Sequence, residues 1–252
     1  MQVKEQSQRI NEIIDVCLLA GDIMLKSGAE TYRVEDTMTR IAAAFDDRAS
    51  QCFVMPTGII FSIDGTDPTK LIRVSERSTD LQKVADVNHV SRKISSGELS
   101  LKEAYLQLKA IEKAELTYSI WQRILSASIA SGCFLIMFKG GWFDFLPACV
   151  AGGLGFAGLV YFHRLIQLKF FAEFLASLII GVLAVGLTHF GLGHEMDKII
   201  IGSVMPLVPG LLITNAIRDL MAGHLVSGLS KGAEAFLTAF AIGMGIAFAF
   251  AL

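Results

Sequence analysis

The chain has 252 residues, of which 53% are hydrophobic and 18% charged, with formal net charge −2 and mean hydropathy +0.54. A soluble domain carries about 25% charged residues, and the charge here is also unevenly placed: residues 1–116 hold 15 of 22 Lys+Arg and 18 of 24 Asp+Glu. This excludes a single soluble enzyme, a disordered chain and a basic nucleic-acid binder, and it predicts an α-helical polytopic membrane domain (117–252) behind an N-terminal soluble α+β domain (1–116).

In chain order, Ile10, Ile13, Ile14, Cys17, Leu18 and Leu25 recur at helical spacing from Lys4 to Lys26, with Gly28 placed as a left-handed cap. A second helix fits Thr31–Ala44, with Val34, Met38 and Ile41 on its apolar side. Strands are expected at Cys52–Met55, Gly58–Ile63 and Lys70–Val74, separated by Pro56-Thr57 and Asp64-Gly65-Thr66-Asp67-Pro68. Two further helices follow. One runs from a cap near Ser78 to Ile94, and the other opens with the capping box Ser100/Glu103. His89 reads as a surface histidine, and the turn carboxylates Asp46, Asp47, Asp64 and Asp67 as solvated groups. The four cysteines have no pairing or metal-ligand spacing, so neither metal nor cofactor is expected. The polar start, Met1–Arg9, lacks the features of a cleavable signal peptide, which places the N-terminal domain on the side of synthesis.

Five spans are expected near 118–138, 142–162, 170–190, 199–220 and 233–252, at about 20 apolar residues each. Tyr118, Trp121, Trp142 and Tyr161 stand near their ends. Arg164, Lys169, Arg218 and Lys231 on one side, against Lys139 and Lys198 on the other, orient the N-terminal domain to the cytoplasm. Gly153–Gly158 matches the GxGxxG fingerprint inside an apolar span, where small residues serve helix packing. Gly228–Gly232 matches GxSxG in an expected short loop, with Ser230 as an N-cap; no base accompanies it, and a hydrolase reading is weak.

The fourth span carries the chemistry. Met205-Pro206-Leu207-Val208-Pro209-Gly210 breaks an apolar helix, and each proline removes a backbone hydrogen bond. Breaks of this kind are tolerated in lipid where they are buried or line a wet cavity, and transporters use them to hold polar solutes. The half-helix after Gly210 would favour an anionic group. Thr214, Asn215, Arg218 and Asp219 follow on roughly one face. The expected solute-binding set is therefore Pro206, Pro209, Gly210, Thr214, Asn215, Arg218 and Asp219. Glu173 and Glu234, just inside their spans, are candidates for a coupling proton, with Lys169 and Lys231 near enough to pair with them. Asp144 is expected at the interface, and His194-Glu195 in an outer loop.

Gly28-Ala29-Glu30-Thr31-Tyr32-Arg33-Val34-Glu35-Asp36-Thr37, Pro206–Gly210 and Asn215-Ala216-Ile217-Arg218-Asp219-Leu220 together resemble the threonine/serine exporter family of bacterial membrane proteins. The resemblance runs over nearly the whole chain. It implies a cytoplasmic domain ahead of transmembrane helices in the bacterial inner membrane, and export of small hydrophilic metabolites. Single-chain members have about twice as many spans, so the resemblance also implies one half of a split exporter, with a smaller membrane subunit as partner and threonine/serine or a dicarboxylate such as succinate as substrate. A sensor or scaffold that does not transport is the reading from another class. No enzymatic activity and no nucleic-acid partner are expected.

Overall fold

The computed structural model describes residues 2–64, 69–114, 118–166 and 168–252, with the backbone alone for residues 2–5 and 169. The chain divides into two compact units, residues 1–115 with 213–232 and residues 116–212 with 233–252.

In the first unit, helices α1 (Gln2–Lys26) and α2 (Thr31–Phe45) precede three strands, β1 (Ser50–Met55), β2 (Gly58–Ile63) and β3 (Lys70–Arg73), and then α3 (Leu81–Ser95) and α4 (Leu101–Lys113). The sheet is an antiparallel meander in the order β1-β2-β3. Met55 pairs with Gly58, so Pro56-Thr57 forms a two-residue hairpin loop. Elements and order follow the sequence expectation, with ends shifted by a few residues. The α3 cap is Asp80, whose carboxylate accepts from the Lys83 amide, and the cap expected near Ser78 is displaced to it. The Ser100/Glu103 capping box is formed. Of the turn expected after β2, residues 65–68 lie outside the described residues, including Asp67.

The core of this unit is built from the apolar stripe of α1 (Ile13, Ile14, Cys17, Met24), that of α2 (Val34, Met38, Ile41), Ile59, Phe61 and Ile63 of β2, and Val87 and Leu108. Gly28, at φ +87°, ends α1: its amide donates to Leu25 O and that of Ala29 to Met24 O. This is the left-handed cap that the sequence predicts, and it uses two otherwise orphaned carbonyls.

The second unit is helical: α5 (Ile120–Met137), a single 3-10 turn at Trp142–Asp144, α6 (Phe145–Ile166), α7 (Lys169–His189), α8 (Met196–Val204), a 3-10 turn at Met205–Leu207, the first residues of α9 (Gly210–Met221) and most of α10 (Leu225–Ala249). Among the described residues, four helices are long and apolar enough to cross a membrane, or five spans if the bent pair Met196–Leu207 and Gly210–Met221 is one. Tyr118, Trp121, Trp142 and Tyr161 are exposed. Small residues let the helices close. A Cβ on Gly155 would lie 2.3 Å from Ile180 Cγ1 of α7, and one on Gly245 of α10 would lie 2.3 Å from Phe174 O. The fingerprint glycines are thus packing seams between helices.

Two expectations are corrected. Residues 228–232 are no loop: α10 begins at Leu225, Ser230 is an exposed residue inside that helix, and so it caps nothing. The stop lies earlier, at Gly223 (φ +88°), where Gly223 N donates to Leu220 O and His224 N to Asp219 O. Asp144, expected at the interface, is 1% exposed. It accepts from His194 N at 2.6 Å and Glu195 N at 3.2 Å, stapling the α5–α6 connection to the start of α8.

Candidate functional site

Within the first unit, two of the three motifs singled out in the sequence meet. Helix α2 starts at Thr31, and Glu30, at its N-cap position, makes no side-chain cap bond. The cap comes instead from 188 residues away. Asp219 Oδ1 accepts the Thr31 amide at 2.9 Å, and Oδ2 accepts the Thr31 hydroxyl at 2.9 Å. A carboxylate there satisfies a free N–H group and meets the positive end of the helix dipole. Asp219 is fully buried, and Lys231 of α10, 5% exposed at its side chain, donates to the same Oδ2 at 2.7 Å. The ammonium also reaches Thr31 Oγ1 at 3.2 Å and Ala29 O at 3.4 Å. Every hydrogen of the buried cation has an acceptor, which is what a buried ion pair requires to hold its charges.

Around this centre, Arg218 donates to Glu30 Oε1 at 2.5 Å, Arg33 to Glu30 Oε2 at 3.2 Å, and Asn215 Nδ2 to Gly28 O at 2.9 Å. Burial alone would push the Glu30 carboxyl up; its own backbone N–H, Arg218 and Arg33 outweigh this and hold it below the usual glutamate range. The outer edge of β1 is closed by the same group of elements. Val54 N donates to Glu35 Oε1 at 2.9 Å, and Ser227 of α10 donates to Val54 O at 3.2 Å, so no bare strand edge remains at Val54. Glu35 is driven the other way. Burial raises its carboxyl, against the Val54 amide and His224, whose Nδ1 lies 3.7 Å away. Burial likewise raises the thiols of Cys17 and Cys52, the latter to about 12, leaving both inert as nucleophiles.

The expected solute-binding residues are therefore distributed as follows. Asn215 and Asp219 are buried and bonded to the α1–α2 turn and the start of α2; Arg218 is exposed but reaches Glu30; Thr214 is exposed. Pro206, Pro209 and Gly210 belong to the second unit. There α8 ends at Val204, one 3-10 turn follows, Val208 is extended (φ −63°, ψ 130°), and α9 restarts at Gly210. Pro206 is the middle residue of the 3-10 turn and Pro209 immediately precedes the restart. Of the proton-carrier candidates, Glu173 is 6% exposed in α7 and Glu234 is half-buried in α10. Lys231 itself donates to the fully buried carboxylate of Asp219. Sequence reasoning missed Lys231, Ser227, Glu35 and His224 as one group. The readable signal was Gly223-His224, a helix stop that folds α10 back on α9.

A family profile described as "Putative threonine/serine exporter" matches residues 15–252. Among curated relatives, "Probable succinate transporter subunit YjjP" of Klebsiella aerogenes is 26% identical over 99% of this chain and 96% of its own length. The protein of that name in Escherichia coli is 23% identical over 97% and 96%. "Probable threonine/serine exporter" of Mycobacterium tuberculosis is 23% identical over 90% of this chain but 44% of its own length. No solved structure matches the chain.

Proposed function

Since the chain belongs to the threonine/serine exporter family, we propose that it is a subunit of a secondary transporter in the bacterial inner membrane, exporting small carboxylate-bearing metabolites, threonine and serine first among them, from the cytoplasm. The observation that carries this reading is the break in the membrane unit at Pro206–Gly210. A helix interrupted at two prolines frees carbonyls on one side and presents amide donors on the other, a pairing suited to a solute with both ammonium and carboxylate. Pro206, Pro209 and Gly210 shape the solute site in this reading, and Glu173 or Glu234 carries the coupling proton.

Asn215, Arg218 and Asp219 act as a latch in the N-terminal domain, which faces the cytoplasm. The Arg218–Glu30 pair is its half-exposed part. A solute carboxylate that draws the guanidinium from Glu30 loosens the start of α2, and the buried Asp219–Lys231 pair limits how far it moves. A second substrate reading, a dicarboxylate such as succinate, is favoured by the two YjjP relatives, which match this chain nearly end to end. Their description as subunits also supports a second subunit as partner, taken in this reading to be a smaller membrane protein.

The test is efflux from cells preloaded with a threonine dipeptide or with succinate, expressing this chain with and without that partner. One solute leaving only with both chains present supports a split exporter and identifies its substrate class. Pro209→Ala and Arg218→Ala are expected to abolish export while membrane insertion persists, and wild-type efflux in either variant removes that residue from the mechanism. Export that is unchanged by an uncoupler removes proton coupling.

A further inference from the structure

Two titratable side chains that the transport reading leaves unused, Glu35 and His224, meet inside the first unit. His224 is fixed by its own backbone. Its N–H donates to Asp219 O at 2.9 Å, closing α9, and its carbonyl accepts from Gly228 N at 2.9 Å, opening α10. Gly223 just ahead of it, at φ +88°, turns the chain between the two helices. The imidazole is thereby delivered to α2: its Nδ1 lies 3.7 Å from Glu35 Oε1, the oxygen that also accepts the Val54 amide at 2.9 Å. Ser227 donates to Val54 O at 3.2 Å, so Val54 of β1 is gripped by α2 at its N–H and by α10 at its carbonyl.

A separation of 3.7 Å is too long for a hydrogen bond and short enough for an ion pair. What joins the two side chains is therefore charge, and histidine is the side chain whose charge changes near neutral pH. The side chains are 23% exposed at His224 and 22% at Glu35. Protons reach them, yet the pair is less screened than one on the open surface. Few other charges face it. Asp219 of α9 adds negative potential at Glu35 and is itself paired with Lys231 of α10 at 2.7 Å. Cys52 of β1, whose thiol burial pushes up to about 12, is neutral. The end of α9 and the start of α10 act on a cation in opposite senses, which leaves Glu35 to decide whether an imidazolium is held at this corner.

We propose that Glu35 and His224 form a proton-operated clasp on the α9–α10 turn: with the imidazole protonated the pair closes and fixes the turn against α2 and β1, and loss of that proton releases it. The clasp is complete where the carboxylate is ionised and the imidazole protonated, so the extra proton belongs to the pair. It opens as pH rises through the histidine range. It is lost again at the acid end, where Glu35 itself takes a proton, at a value that burial raises. With the N-terminal domain facing the cytoplasm, as proposed above, the clasp reads cytoplasmic pH.

Hydrogen exchange of the purified full chain in lipid nanodiscs tests this, at pH 6 and pH 8 and corrected for the intrinsic pH dependence of amide exchange. Amides 224–228 are expected to be about three- to tenfold better protected at pH 6, while those of α3 keep the same protection at both. His224→Gln and Glu35→Gln should each abolish the difference with α3 unchanged, and His89→Gln, at an exposed position of α3, should keep it. Equal protection of 224–228 at the two pH values in the unmodified chain overturns the proposal. So does a difference that survives in His224→Gln or Glu35→Gln, or one that disappears in His89→Gln. The readout does not involve efflux, so failure of the transport reading leaves this result standing, and failure of the clasp leaves transport untouched.

Discussion

The two units are held together by opposite means. The first joins segments far apart in sequence through buried charge: Asp219 and Lys231 close on Thr31, and Arg218 on Glu30. The second closes helix on helix by removing side chains, with Gly155 against Ile180 and Gly245 against Phe174. The contrast follows from the driving force available. The first unit has a large apolar core whose burial supplies energy, which leaves its buried charged groups free to serve specificity. Between helices in lipid that force is absent, so close van der Waals approach must do the work, and only small residues permit it.

The largest expected effect tests the charged side. Asp219→Ala leaves Lys231 buried without its counter-ion and uncaps α2, and should cost about 3–5 kcal/mol, read as a lower thermal midpoint of the purified chain. The double variant Asp219→Leu/Lys231→Met should recover most of that stability. If it is as unstable as the single variant, the cap on Thr31 outweighs the ion pair. On the small-residue side, Gly245→Ala should cost about 1–3 kcal/mol, because the new methyl meets backbone at Phe174. Gly186→Ala, with open space at its Cβ, is the matched control and should be neutral or slightly stabilising. Equal melting of the two variants would refute the seam. Next in size, Ser100→Ala removes the α4 capping box and should cost about 1 kcal/mol.

The smallest effects are in pH dependence, and they have opposite signs. Glu30 is held below its ordinary value of about 4.3. The stability it contributes is complete above that value and is lost as pH falls through the lower folded-state value. Glu30→Gln should flatten the acid limb of a melting profile. Glu35 is raised by burial, so stability falls as pH rises from about 4.3 through its higher folded-state value. Glu35→Gln should remove that decline, and a variant with an unchanged profile would show that His224 and the Val54 amide cancel the burial.

Much of the architecture was legible in the residues. Helical spacing in α1 and α2, the Pro56-Thr57 turn, the Ser100/Glu103 box and the left-handed Gly28 are local devices, and local devices act wherever the chain goes. The helix break at Pro206–Gly210 was readable for the same reason, since proline disrupts a helix from within its own turn. By contrast, α10 was read eight residues short, because Gly228 and Gly232 look like loop glycines until Leu220 and Ala216 are found against them.

The sequence by itself determined the elements, their order and the segregation of charge from the apolar helices, because these depend on neighbours within a few residues. Only the tertiary structure decided that Asp219 caps α2, that Lys231 donates to Asp219, and that Glu35 and Ser227 close the edge of β1 at Val54. Those outcomes depend on which polar groups lose their water together, and burial is a property of the folded chain, with no counterpart in the spacing of its letters.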